Sequence, residues 1–363
     1  MPPVSPELKP VAEKALAGQR IDFQDAELCY RTADLPGLGW IANQVREKRH
    51  GNKATYIVNS HLNYSNLCTL ACKFCAFART RGREGAYELS LPQIFEKADR
   101  AAALGASELH IVGGLHPDLP YAWYLEMLST LRARHPQMHL KAFTAVEIRY
   151  LADLAKKSIA EVLIELREHG LGSLPGGGAE IFAEKVRKEI CGPKDTSAEW
   201  LEVHRTAHGL GIRSTATMLY GHIESIADRV DHLMRLRAHQ DETKGFLAFI
   251  PLSFHPDGTR LFGVHQASGM EDLRTVAVAR LVLDNFAHVK AYWTQTGLRL
   301  AQLALHFGAD DIDGTVVEET ITHMAGGQAP RGVAEERLRD IIKSAGRLPV
   351  RRDTLHRDLE QAA

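Results

Sequence analysis

Beyond Gly51 the chain alternates strand-like and helix-like segments, and this alternation limits the possible folds more than any other feature. Short apolar, β-branched segments indicate strands, whereas apolar residues spaced three and four apart indicate helices. The seven strand candidates are TYIVNSHLN, ELHIVGG, HLKAFTA, EVLIEL, RSTATML, FLAFIPL and HVKAYWTQ. Helix candidates between them imply right-handed crossovers and a parallel sheet.

The length of the alternating region favours a closed barrel over an open sheet, since about 250 residues are typical of a β/α barrel. We therefore predict an α/β protein with a TIM-type (β/α) barrel at residues 53–315. An N-terminal helical cap at 1–52 precedes the barrel, and a C-terminal helical extension at 316–363 follows it. In such barrels the loops at the carboxyl ends of the strands carry the chemistry.

The segment CTLACKFC follows the first strand candidate and holds three of the five cysteines, Cys68, Cys72 and Cys75. Iron–sulfur clusters are ordinarily held by four cysteines, so three thiolates leave one iron open to an added ligand. We predict that these three cysteines hold a [4Fe–4S] cluster. A structural zinc site is the alternative, and it would need His61 or His110 as a further ligand.

Charge and hydropathy narrow the class of partner. The 44 Lys and Arg residues almost cancel the 45 Asp and Glu residues, so no strong net field attracts nucleic acid or an anionic membrane. No apolar run reaches the roughly eighteen residues of a spanning helix, and the first residues lack a signal-peptide core. We expect a cytoplasmic protein that acts on a small molecule, without nucleic-acid or membrane partners.

The cysteine spacing, with Phe74 directly before the last cysteine, resembles the signature of the radical S-adenosylmethionine (SAM) superfamily. Longer segments extend the resemblance over about residues 59–327 to the subgroup that builds menaquinone by the futalosine route and to its deazaflavin-forming relatives. They are NSHLNYSNLCTLACKFCAFAR, HIVGGLHPDLP, LKAFTAVEI, SLPGGGAEIF, YGHIES and FGADDIDGT. The forms GGLHPDLP, FTAVEI and IPLSFHPDGT are most similar to the aminofutalosine synthase family.

This resemblance implies a cosubstrate and a reaction. SAM would chelate the open iron and yield a 5′-deoxyadenosyl radical, which adds to the enol ether double bond of 3-[(1-carboxyvinyl)oxy]benzoate. Rearrangement and decarboxylation then give 6-amino-6-deoxyfutalosine, and an electron donor such as flavodoxin or ferredoxin reduces the cluster. The alternatives are a cyclic dehypoxanthine futalosine synthase or a deazaflavin-forming enzyme. Outside radical chemistry, an iron–sulfur electron carrier and a zinc-stabilised binding module also remain open.

The resemblance also assigns site residues, although Leu115 stands where the superfamily has the acid of a Gly-Gly-Glu run. The expected cofactor-binding residues are Phe74, Gly113, Gly114, Glu165, Arg187 and Ile250. The candidate substrate-binding residues are Tyr64, Lys141, Arg213, Ser253 and Gln295. The candidate catalytic residues are His116, His255 and Glu147.

Overall fold

A computed structural model describes residues 4–359 of the chain. A short 3-10 helix, Pro6–Leu8, precedes the first α-helix. The helices are α1 (Lys9–Leu16), α2 (Phe23–Arg31), α3 (Leu35–His50), α4 (Leu91–Ala103), α5 (Tyr121–Arg134), α6 (Ala145–Ala155), α7 (Ile159–Glu168), α8 (Glu184–Cys191), α9 (Ser197–Gly209), α10 (Ile226–Thr243), α11 (Gly269–Val282), α12 (Trp293–Thr296), α13 (Leu298–Ala304), α14 (Ile321–Met324) and α15 (Glu335–Ser344). The strands are β1 (Lys53–Ile57), β2 (Asn59–Leu62), β3 (Glu108–Ile111), β4 (His139–Ala142), β5 (Ser173–Leu174), β6 (Arg213–Tyr220), β7 (Phe246–Ser253), β8 (His288–Val289), β9 (Asp311–Gly314) and β10 (Leu348–Arg351).

The strands form a curled parallel sheet that returns to its first strand. Strands β2 to β8 pair in chain order, and a second parallel sheet has the order β10-β1-β9. Two bridges connect these sheets: Lys290 pairs with Asp311 after β8, and Ser60 of β2 pairs with Val317 after β9. Since β1 runs almost directly into β2, the ring is closed, and the predicted α/β barrel is confirmed.

One predicted strand is wrong, because EVLIEL lies within helix α7. Ser158 caps this helix by accepting from the Glu161 amide, and the Glu161 carboxylate accepts from the Ser158 amide in return. Val162, Leu163 and Leu166 are then buried on one helical face. The S-x-x-E capping signature predicts a helix start here. The true strand at this position, β5, has only two residues.

Both ends of the chain pack onto the barrel. Helix α3 packs against α11, and α2 packs against α10 and α11. The C-terminal segment is not purely helical as predicted, because its strand β10 pairs with β1 in parallel. The domain divisions at 52/53 and 315/316 stay a prediction. Among the described residues, no helix is long and apolar enough to cross a bilayer.

The barrel interior is polar where the closing strands meet. Arg352, which follows β10, forms a buried two-pronged ion pair with Asp311 of β9, with Nη2 and Oδ1 3.0 Å apart. Asp311 also accepts from the Thr55 hydroxyl of β1 at 2.6 Å. This ion pair therefore fastens the C-terminal segment to the strands that close the ring.

We expect Arg352→Met to lower the free energy of unfolding by about 3–5 kcal/mol, because it removes the guanidinium that pairs with a buried carboxylate and leaves only the more distant Lys290, at 4.0 Å, among the lysines and arginines of residues 4–359. Arg357→Met is the matched control, since the Arg357 side chain is 75% exposed and, within residues 4–359, forms its ion pair with Asp353. That control should change stability by less than about 1 kcal/mol. Denaturant unfolding of both variants measures the difference, and equal small losses would contradict the proposed role of the ion pair.

Candidate functional site

The three clustered cysteines lie on one loop that follows β2. The Cys68 sulfur accepts from the backbone amides of Leu70 and Leu115, each at 3.4 Å. The Cys75 sulfur accepts from the amide of Ala78 at 3.4 Å. Amide donors stabilise negative charge on sulfur, and hydrogen bonds to sulfur also tune iron–sulfur clusters.

Burial favours the protonated thiol at two of these cysteines, Cys72 and Cys75. It raises the pKa of Cys72 to about 12 and raises that of Cys75 above its usual value. Metals bind the thiolate, so metal binding here would release protons. Three thiols on one short loop, of which Cys72 is buried and Cys68 and Cys75 are half-buried, therefore fit a metal or a cluster better than a set of free nucleophiles.

The cysteine loop packs on the carboxyl end of β3, where Gly113 and Gly114 follow the strand. A Cβ on Gly114 would lie 2.2 Å from the Leu67 carbonyl oxygen and 3.0 Å from Cys68 Cβ. A Cβ on Gly113 would lie 2.4 Å from the Tyr64 ring. Only glycine allows this close approach. The cradle fits a group held by Cys68 close to the strand end.

Glu147 and Tyr64 support this strand end from below. The buried Glu147 carboxylate accepts from the Gly113 amide and from the Tyr64 hydroxyl, both at 3.0 Å. It also accepts from the amide and hydroxyl of Thr144, which caps α6. Burial raises the pKa of Glu147. These contacts differ from the predicted catalytic and substrate roles, since both side chains are engaged in positioning Gly113.

Two residues that the sequence analysis did not assign, Glu180 and Lys194, join the cysteine loop to the loop after β5. Their buried side chains form an ion pair, and the Lys194 ammonium also lies 5.3 Å from the centre of the Phe74 ring. Glu180 has a φ of 45°, which is uncommon for a residue other than glycine. The three consecutive glycines of PGGGAE are typical of a sharp turn or a close backbone approach, and this signal could have pointed to Glu180, the acid of the same motif.

Arg187, which was predicted to bind the cofactor, has its guanidinium N–H groups engaged by the protein backbone. Its guanidinium donates to backbone carbonyls of the loop after β5 and of the turn before α9. The acceptors are Gly178, Ala179, Ile181 and Asp195. Arg187 therefore fixes the shape of the PGGGAE loop.

Glu165 lies in the outer helix layer because the strand predicted for it is helix α7. Its carboxylate accepts from the Tyr121 hydroxyl at 3.0 Å and from the Lys157 ammonium at 2.6 Å. The predicted contact with the cofactor has no basis in this position.

His116 is buried with both ring nitrogens engaged. Nδ1 accepts from the amides of Asp118 and Leu119 at 3.1 Å, so the proton lies on Nε2, which is 2.5 Å from the Glu88 carboxylate. The ring shapes the turn after β3 and is not available as the predicted acid or base.

His255 and Gln295 lie together at the carboxyl ends of β7 and β8. His255 Nε2 is 2.9 Å from the Gln295 backbone oxygen, and burial lowers the pKa of this histidine. The Gln295 side-chain oxygen is buried and has no hydrogen-bond partner within residues 4–359. A buried acceptor without a donor suits a ligand that donates hydrogen bonds.

The other predicted residues separate into two groups. Lys141 and Ile250 both lie inside the barrel. Pro251, the residue after Ile250, faces the other side of the sheet and lies against α11. Ser253 points away from the barrel interior, beside Asp272 of α11. Arg213 begins β6, so it lines a cavity of about 500 Å³ at the opposite end of the barrel from the cysteines. The substrate roles predicted for Ser253 and Arg213 are therefore at odds with the structure.

Comparisons with known proteins agree with this geometry. The pattern of the radical SAM superfamily matches residues 62–236, and that of the CofH/MqnC C-terminal region matches residues 243–362. Methylornithine synthase has a similar fold, with a TM-score of 0.73 and 17% sequence identity over 94% of this chain and 97% of that one.

Two sequence relatives cover almost the whole chain. Aminodeoxyfutalosine synthase of Thermus thermophilus is 46% identical over 98% of this chain and 96% of its own length. Cyclic dehypoxanthine futalosine synthase of Streptomyces coelicolor is 38% identical over 97% of this chain and 89% of its own length. The chain belongs to the radical SAM superfamily, and within it to the family with a CofH/MqnC C-terminal region that includes the aminodeoxyfutalosine synthases.

Proposed function

We propose that this protein is a radical SAM aminodeoxyfutalosine synthase of the futalosine route to menaquinone. The observation that carries the proposal is the three-cysteine loop packed against Gly113 and Gly114, in a chain 46% identical to the Thermus thermophilus synthase. In this proposal Cys68, Cys72 and Cys75 hold a [4Fe–4S] cluster. SAM and 3-[(1-carboxyvinyl)oxy]benzoate are the two substrates.

When bound, the cluster and SAM supply a 5′-deoxyadenosyl radical for addition to the enol ether double bond, and the product is 6-amino-6-deoxyfutalosine. The chain itself has three tasks. The amides of Leu70 and Leu115 stabilise charge on the Cys68 sulfur. Glu147 fixes the Gly113 amide, which keeps the strand end close to the loop. The closed barrel surrounds the reacting groups, which excludes water and holds the alkene in position.

Product analysis tests this function. Anaerobically reconstituted protein with a chemical reductant should convert 3-[(1-carboxyvinyl)oxy]benzoate and SAM into an adenosyl adduct, detected by mass spectrometry. Cys72→Ala should lose the iron and the product, because three ligands are needed to hold the cluster. Cys29→Ala is the matched control, since Cys29 is equally buried but lies in α2.

Three results would count against the proposal. Free 5′-deoxyadenosine without an adduct, formed with dehypoxanthine futalosine as the substrate, would identify the protein as a cyclic dehypoxanthine futalosine synthase. Iron bound without any turnover would favour an electron carrier. Zinc in a colourless anaerobic preparation would favour the structural metal site.

We also propose that the electron donor, a flavodoxin or a ferredoxin, docks beside the cysteine loop. Ala71 lies on this loop and is exposed, so it brings the cluster ligands close to the surface. The Arg260 guanidinium donates to the Ala71 backbone oxygen, and the Arg260 backbone amide donates to that of Lys73. Phe262, two residues further along the chain, is 88% exposed. An exposed aromatic residue beside cationic side chains suits a small acidic protein.

Arg260→Glu should slow cluster reduction by flavodoxin or ferredoxin by about tenfold or more, because rim charges control association rates. Reduction by dithionite should be unchanged. Arg337→Glu is the control, since Arg337 is exposed on α15. Stopped-flow absorbance measures both rates. Equal effects of the two variants on the protein donor, or a slower reaction with dithionite, would contradict this docking surface.

A further inference from the structure

Three basic side chains form a row across neighbouring strands inside the barrel. His61 of β2 pairs in register with His110 of β3, which pairs in register with Lys141 of β4. Residues in register on parallel strands point to the same face of the sheet. The alternate residues Leu109 and Leu140 belong to the hydrophobic core, so the basic row faces the barrel interior.

The two histidines are stacked on each other, with ring centres 4.5 Å apart and planes inclined by 28°. His61 is buried, whereas His110 is only half-buried and keeps some accessible surface. No hydrogen bond from a residue within 4–359 reaches a ring nitrogen of either histidine. Burial lowers the pKa of His61 and holds that of His110 well below its usual value. Each ring is then neutral at pH 7 and has one N–H to donate.

Lys141 is less closely paired with its acid than Lys290, which is another lysine of the barrel strands. Its ammonium is 3.8 Å from the Glu108 carboxylate, which is too long for a hydrogen bond. Lys290, by contrast, lies 2.5 Å from Asp313. Burial lowers the pKa of Lys141, and Glu108 opposes that effect. An anionic ligand would favour the charged ammonium further.

The row of His61, His110 and Lys141 lies at a definite depth below the cysteine loop. His110 precedes Gly113 by three residues, which corresponds to about 10 Å along the strand direction. The row is therefore deeper in the barrel than the cysteines. A substrate whose double bond faces the cysteine loop places its opposite end at this depth. In 3-[(1-carboxyvinyl)oxy]benzoate the opposite end is the carboxylate on the ring.

We propose that His61, His110 and Lys141 form a subsite that binds the aryl carboxylate of the substrate. Lys141 supplies the counter-charge, and the two histidines donate hydrogen bonds to the carboxylate oxygens. This inference rests on the proposed function, because it takes the substrate from it. Glu108 attracts the Lys141 ammonium but does not accept a hydrogen bond from it. The Glu108 carboxylate accepts instead from the Asn59 side chain at 3.3 Å.

The test compares two ligands on reconstituted protein by equilibrium dialysis. One is the proposed substrate, and the other is 2-phenoxyacrylate, which lacks the aryl carboxylate. Wild-type protein should bind the substrate about tenfold to a hundredfold more tightly than 2-phenoxyacrylate, as a charge-assisted hydrogen-bonded contact predicts. In Lys141→Met/Glu108→Gln, which removes both buried charges together, this preference should fall by about tenfold, because the counter-charge is lost while the two histidine donors remain. A ligand change and a residue change that share one contact are non-additive in this way.

Two further variants keep the test decisive. His110→Phe retains a ring for stacking but removes the N–H, so it should reduce the preference without unfolding the protein. Lys97→Met is the control, because Lys97 lies on α4 and pairs with Glu318; its preference should match wild type. An unchanged preference in both barrel variants overturns the subsite even if wild-type protein makes the product. If wild-type protein neither binds nor converts the substrate, the proposed function fails first.

Discussion

Backbone contact between the cysteine loop and the end of β3 is the constraint on which the site depends. Gly114 lies so close to Leu67 and Cys68 that no side chain fits between them. The amide of the preceding residue, Gly113, donates to the Glu147 carboxylate, which also belongs to the capping box of α6. The Glu147 carboxylate thus joins the end of β3 to α6, and Gly114 brings the cysteine loop against the same strand end.

Much of the fold could be predicted from the sequence because strand and helix periodicities differ clearly along most of the chain. The prediction failed at EVLIEL, where a compact apolar run suits either structure by composition. There the Ser158–Glu161 capping box decides for helix α7. The strand that takes the place of EVLIEL, β5, is too short for any periodicity to reveal it. Strand β10 could not be predicted, because the C-terminal segment is charged and shows no clear strand pattern, and nothing in it indicates that it pairs with β1.

The site was predictable where spacing along the chain determines position, as for the cysteines and the paired glycines. It was not predictable where side-chain direction decides. Ser253 points outward, and the register of β6 and β7 shifts between Ser214 and Ala216, which changes the face that later residues occupy. Arg187 lies near the expected place, but backbone carbonyls take up its donors, a competition that sequence does not display. From the sequence, His61 and His110 are candidate ligands of the alternative zinc site. Their alignment with Lys141 depends on the pairing of β2, β3 and β4, which only the structure shows.

We propose that the loop of Cys68, Cys72 and Cys75 holds a cluster with one iron left open for SAM. Electron–nuclear double resonance on the reduced protein, with SAM labelled with ¹⁵N at its amine, tests this claim most directly. We expect a ¹⁵N coupling to the cluster, which appears only when the labelled SAM is added. A reduced cluster that shows no such coupling, and whose resonance spectrum SAM leaves unchanged, would contradict it.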